Sequence, residues 1–78
     1  MMNRKKLAFN NQHQILDFII KMENFSDACV IENEEGYLRV NAHSINGALY
    51  AARDFDNLYF VNNTNPGVFP DFINDFVE

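Results

Sequence analysis

His13, Cys29, His43 and Ser44 are among the side chains of this sequence able to act as nucleophile, proton acceptor or metal ligand. Their spacing matches no familiar catalytic or metal-binding pattern. His43 and Ser44 adjoin, but neighbouring side chains diverge, and a nucleophile needs its base within hydrogen-bond reach. No third orienting group accompanies them, so a hydrolase is not expected. His13, Cys29 and His43 lack metal-ligand spacing. Asp54-Phe55-Asp56-Asn57 is too short for a calcium loop and has no downstream glutamate. No glycine-rich loop could cradle a phosphate, and Asp71, Asp75 and Glu78 read as the solvated face of a last helix. Cys29 lies in the apolar run Ala28-Cys29-Val30-Ile31 and reads as a small buried hydrophobe rather than a reactive thiol. No cofactor is implied. Ser44 remains, and its role depends on the element it belongs to.

Two signals compete around it. Asn46-Gly47 is a strong hairpin signal when strands flank it. Yet Ile45, Ala48, Leu49, Ala52 and Phe55 recur at helical spacing across the same dipeptide. A strand after the turn would have to use Ala48-Leu49-Tyr50-Ala51-Ala52-Arg53, which holds three alanines and no β-branched residue. That is poor strand and good helix material. Ser44 before Ile45 also supplies a cap, since its hydroxyl can accept from backbone N–H groups two or three residues on. The sequence therefore predicts a helix after Ser44. Gly47 in its first turn costs about 1 kcal/mol relative to alanine, and close approach by another chain or a backbone would explain it.

The other elements follow from the same periodicities. Leu7 and Phe9 alternate in a short first strand, Lys6 to Asn10. Ile15, Phe18, Ile19, Met22 and Phe25 form a helical stripe from Gln12 to Phe25, with Asn10 or Asn11 as the N-cap. Ala28 to Glu32 is a strand, Asn33-Glu34-Glu35-Gly36 a turn, and Tyr37 to Ala42 an alternating strand with one wet face. Leu58 to Val61 is the fourth strand. Phe69, Phe72, Ile73, Phe76 and Val77 mark a short last helix, with Pro70 acceptable in its first turn. The order β-α-β-β-α-β-α predicts an α+β fold, an open-faced sandwich of a four-stranded antiparallel sheet with helices on one face.

Seventy-eight residues make a single small domain, 1–78, whose modest core is helped by eight phenylalanines. One cysteine excludes an internal disulfide and suits a reducing compartment. No stretch resembles a signal peptide or a membrane span, so a cytoplasmic protein without membrane insertion is expected. The net charge is −5, and half of the six basic residues lie in Arg4-Lys5-Lys6. The rest of the chain is strongly acidic, which disfavours nucleic acid as a partner. Tyr37-Leu38-Arg39-Val40 also lacks the basic and aromatic signature of an RNA-recognition strand.

Val40-Asn41-Ala42-His43-Ser44-Ile45-Asn46-Gly47 resembles the segment VNxxSIxG of HPr, the small phosphocarrier of the bacterial phosphoenolpyruvate-dependent sugar phosphotransferase system. The resemblance runs without a gap through Leu49, Ala52 and the strand from Leu58 to Val61. The first half of the chain agrees in element order and in Phe25. HPr proteins share this length, this element order and a cytosolic location. Their chemistry lies in a G-[LIVM]-H-A-R-P segment opening the first helix, where a histidine takes a phosphoryl group from enzyme I and passes it to transporter subunits. A neutral imidazole nitrogen is the nucleophile, and the helix N-terminus with a nearby arginine holds the product.

This sequence has Phe9-Asn10-Asn11-Gln12-His13-Gln14 instead, without the glycine, arginine or proline. Ungapped counting from Phe25 puts Asn11 at the position of the family's histidine, and a carboxamide accepts no phosphoryl group. Carrier activity is expected to be absent and the protein not to be an enzyme; His13, two residues on, is a displaced acceptor or a solvated polar residue. Ser44 matches the serine that HPr kinase phosphorylates in many Gram-positive bacteria, where the product binds a catabolite-control repressor. The resemblance implies a regulatory phosphosite at Ser44, and protein docking through Ile45, Asn46, Leu49 and Tyr50. Asn46 departs from the apolar residue usual there. HPr kinase, a transcriptional regulator and phosphotransferase components are the partners it implies. The alternative is a metabolite-sensing domain of ferredoxin-like type. Strand order separates the two: an HPr sheet runs 1-4-2-3 and a ferredoxin-like sheet 4-1-3-2.

Overall fold

The computed structural model describes residues 3–77. Strands β1 (Arg4–Lys6), β2 (Cys29–Asn33), β3 (Arg39–Asn41) and β4 (Leu58–Asn62) are joined through helices α1 (Gln12–Met22) and α2 (Ile45–Asp54), and a short 3-10 helix covers Asp71–Asp75. The strands form one sheet in the order β1-β4-β2-β3, and every neighbouring pair is antiparallel. The fold is α+β with an open sheet. No helix among the described residues is long and apolar enough to cross a membrane.

The alternation of β2 and β4 decides which face is covered. Cys29, Ile31 and Asn33 on β2 and Leu58, Phe60 and Asn62 on β4 are buried, with Ile31 opposite Phe60 in the ladder. Helix α1 lays Ile15, Phe18 and Met22 on the core, and α2 contributes only Ala48 and Ala51 as fully buried residues. Phe18 is the hub. Its ring meets Phe9 and Phe76 edge-on at 5.4 Å, Phe60 at 6.0 Å and Phe72 at 6.3 Å. Edge-to-face pairs of this kind add roughly 0.5–1.5 kcal/mol each beyond area burial.

The opposite face of the sheet carries charge. Glu32 takes Arg4 at 2.7 Å and Arg39 at 3.4 Å, and the Arg4 guanidinium lies 4.0 Å over the Tyr59 ring. This cover leaves Tyr59 only 8% exposed although it points away from the helices. Its hydroxyl donates to Glu34 at 3.5 Å.

Several boundaries differ from the sequence expectation. The first strand is Arg4–Lys6 rather than Lys6 to Asn10, because the basic segment pairs along β4 (Arg4 with Val61, Lys6 with Tyr59). Leu7 and Phe9 still reach the core, but from the connection into α1. Helix α1 ends at Met22 instead of Phe25. The amides of Glu23, Asn24 and Phe25 bond three residues back, to Ile20, Lys21 and Met22, so the chain tightens out of the helix. Strand β3 is shorter than Tyr37 to Ala42 because Asn33 Oδ1 accepts from the Gly36 and Leu38 amides and closes the turn around them. Gly36 sits there at φ +83°, a backbone that suits glycine. The last helix is a single 3-10 segment. Leu7 forms a β-bridge with Val77 and the Ala8 amide donates to the Phe76 carbonyl, which draws the chain away from a helical course.

Candidate functional site

Ser44 is the N-cap of α2. Strand β3 turns into the helix through Asn41, whose Oδ1 accepts from the His43 amide at 2.8 Å and whose carbonyl accepts from the Ser44 amide at 3.0 Å. With Ser44 at φ −98° and ψ 120°, its Oγ accepts from the Gly47 amide at 3.1 Å while its carbonyl takes the Ala48 amide at 2.9 Å. The conflict around Asn46-Gly47 is thus resolved as a helix. Gly47 lets α2 cross close over β3: a Cβ built on it would lie 3.1 Å from Val40 Cβ, a tight contact, and 3.5 Å from the Asn41 carbonyl oxygen. A strand of the same chain makes the close approach.

His43 does not turn toward Ser44. Its Nε2 lies 2.8 Å from the carbonyl oxygen of Asp27. A carbonyl only accepts, so Nε2 carries the proton and donates. The imidazole therefore ties the start of α2 to the loop leaving α1, and supplies no base to the serine.

Around Ser44, Ile45 (41%) and Tyr50 (44%) are exposed, as is Asn46, whereas Leu49 is half-buried against the core. Their spacing puts all four on adjoining stripes of α2. No acidic residue lies in the first turn of α2, so the partial positive charge of its free amides is not offset by a side chain of its own. Leu49 also lines a groove of about 360 Å³ with Gln12, Ile15, Ala52 and Arg53.

The start of α1 is built on the same plan from other residues. Asn11 is its N-cap, with Oδ1 accepting from the Gln14 amide at 3.0 Å, and Gln14 Oε1 accepts from the Asn10 amide at 2.7 Å. His13 is exposed in the first turn. This end faces the last turns of α2 across the groove, whereas the start of α2 is tied by His43 to Asp27, beyond the end of α1. The two helices run in opposite senses, and the structure does not bring His13 and Ser44 together.

Three features escaped the sequence reading. Asp27 accepts from Asn62 Nδ2 at 2.9 Å and Asn65 Nδ2 at 3.1 Å, and these bonds, Asn62 first, hold its carboxyl below the usual carboxylate range. The Arg4–Glu32–Arg39 group is the second, and the contacts of Tyr37 and Tyr50 with Phe55, at 6.2 and 5.8 Å between ring centroids, are the third. The asparagine-rich run Asn62-Asn63-Thr64-Asn65 was the one visible signal; the partners lie too far away in sequence to be read from spacing. Cys29 faces the core, and burial, with a smaller contribution from the Asp27 charge, pushes its thiol up to about 11. Among the described residues, no group of three or more His, Cys, Asp or Glu side chains could hold a metal ion.

Comparison with known proteins gave no match: no family model fits the chain, and no curated protein or solved structure resembles it closely enough to count.

Proposed function

We propose that this chain is a degenerate HPr-like module: a non-catalytic regulatory or interaction protein of the bacterial cytosol, modified by phosphorylation at Ser44. The observation that carries this reading is the sheet order β1-β4-β2-β3 together with an α2 capped by Ser44. That order is the one the HPr resemblance implies, and it differs from the 4-1-3-2 of a ferredoxin-like metabolite sensor. A phosphate on Ser44 Oγ would meet the free amides of the first turn of α2, where a dianion is stabilised by the helix dipole and by charge-assisted bonds. The absence of an acidic side chain from that turn removes the nearest repulsion. Ile45, Asn46, Leu49 and Tyr50 would form the docking surface beside it. At the start of α1, Asn11 holds the cap with a carboxamide, which supports the loss of carrier chemistry.

Two labelling reactions read by mass spectrometry test this. HPr kinase with ATP is expected to place phosphate on Ser44, and an unlabelled protein would remove the regulatory role. Enzyme I with phosphoenolpyruvate is expected to leave the chain unmodified. Acid-labile phosphate on His13 would instead make it a phosphocarrier with a displaced histidine.

A further inference from the structure

Asn46-Gly47 is the one Asn-Gly dipeptide of the sequence, and the structure sets it at the second and third positions of α2. Asn-Gly is the pairing most prone to deamidation, because no side chain shields the glycine nitrogen. Asn46 is exposed, so its carboxamide is open to water. The Gly47 nitrogen is at a helix position where the backbone ladder offers no acceptor. Its bond is the one to Ser44 Oγ, at 3.1 Å. We propose that Asn46 is a site of spontaneous deamidation and that the Ser44 cap sets its rate.

The Gly47 nitrogen loses its proton and attacks Asn46 Cγ. The Cγ–Nδ2 bond breaks, ammonia leaves, and a five-membered succinimide forms. Water then opens the ring at either carbonyl, giving aspartate or isoaspartate. Attack requires the pair to leave helical geometry, and the Ser44 bond opposes that opening while it occupies the amide hydrogen. The two products differ in consequence. Aspartate at this position places a negative charge in the first turn of α2, where the helix dipole favours it. Isoaspartate inserts an extra backbone carbon and breaks the turn. Either changes the charge beside Ile45 and Tyr50, and the step needs no kinase, so it stands apart from the phosphorylation proposed above.

The test is incubation of the intact chain at mildly alkaline pH, followed by peptide mapping of Asn46 and its heavier product. Wild type is compared with Ser44→Ala, Ser44→Asp and the wild-type chain in denaturant. Ser44→Ala is expected to deamidate roughly fivefold faster than wild type, the factor by which loss of a serine cap favours opening of the turn. Ser44→Asp, which retains a capping acceptor, is expected to stay near the wild-type rate, and the denatured chain to be fastest. Circular dichroism of each variant separates loss of the cap from loss of the fold. If Ser44→Ala unfolds, Ser44→Gly, which removes the hydroxyl at a cost of only about a few tenths of a kcal/mol, takes its place. It is expected to react faster than wild type, an equal rate again overturning the proposal. Equal rates at Asn46 in folded Ser44→Ala and wild type would overturn the proposal. So would a folded wild type reacting as fast as the denatured chain.

Discussion

At the start of α1 Asn11 accepts from the Gln14 amide at 3.0 Å, and at the start of α2 Ser44 accepts from the Gly47 amide at 3.1 Å. Both caps have extended backbones, and neither first turn contains an acid. The backbone physics is the same, but the side chains are not. A hydroxyl can both cap a helix and accept a phosphoryl group, whereas a carboxamide caps but accepts no phosphoryl group. The helices behind these starts differ as well. Helix α1 is anchored by Ile15, Phe18 and Met22, and α2 by Ala48 and Ala51. Helix α2 therefore has less apolar surface holding it down, and its chemically versatile start sits on the more lightly anchored element.

The largest expected effect tests that asymmetry. Phe18→Ala should destabilise the protein by about 3–5 kcal/mol, as large-to-small changes of buried aromatics do. Ala48→Gly on α2 should cost only about 1 kcal/mol. Urea denaturation measures both, and equal losses would contradict the difference in anchoring. Native-state hydrogen exchange should also show α2 amides opening before those of α1.

Asn11→Ala and Ser44→Ala come next, each expected to cost about 1 kcal/mol by loss of the cap. Ser44→Asn sharpens the comparison, since asparagine caps as well as serine. Stability should hold within about 0.5 kcal/mol, while any kinase-dependent labelling at this position disappears. Labelling that persists in this variant would mean the acceptor lies elsewhere.

A third measurement concerns the loop to which His43 ties α2. Asp27 has a folded-state pKa lowered from 3.8 by its bonds to Asn62 and Asn65. Its stabilisation is therefore fully present above 3.8 and is lost as pH falls below that value through the lower folded one. Asp27→Asn should flatten this part of the acid unfolding curve, measured by circular dichroism between pH 5 and 2. The smallest effects are expected at two exposed positions: Ile45→Ser should change stability by less than about 0.5 kcal/mol, and Tyr50→Ser by about 0.5–1 kcal/mol through loss of its edge contact with Phe55. A larger loss would mark these side chains as core rather than as a docking surface.

Much of this arrangement was legible in the sequence, for identifiable reasons. The helix after Ser44 could be read because the cap, the alanines and the apolar period agreed, and only Gly47 dissented. Its reason, the crossing of β3, is a tertiary contact that no local pattern reveals. Strand β1 was misplaced because its residues pair on one side only and carry cationic side chains, so apolar alternation was strongest just after it. The last helix was misread because Phe69, Phe72 and Phe76 serve the rings around Phe18 and Phe60 whatever the local backbone does. The His43 contact with Asp27 spans 16 residues and the Asn62 contact 35, beyond the reach of spacing arguments.

The sheet ends on two three-residue strands, β1 with Arg4, Lys5 and Lys6 and β3 with Arg39. Unpaired rims of a pleated layer tend to recruit further chains into fibrils, and short length with cationic side chains counters that tendency. Replacing Lys5 by an aliphatic residue should thus leave the monomer folded yet make concentrated solutions prone to amyloid-like stacking, visible as thioflavin fluorescence.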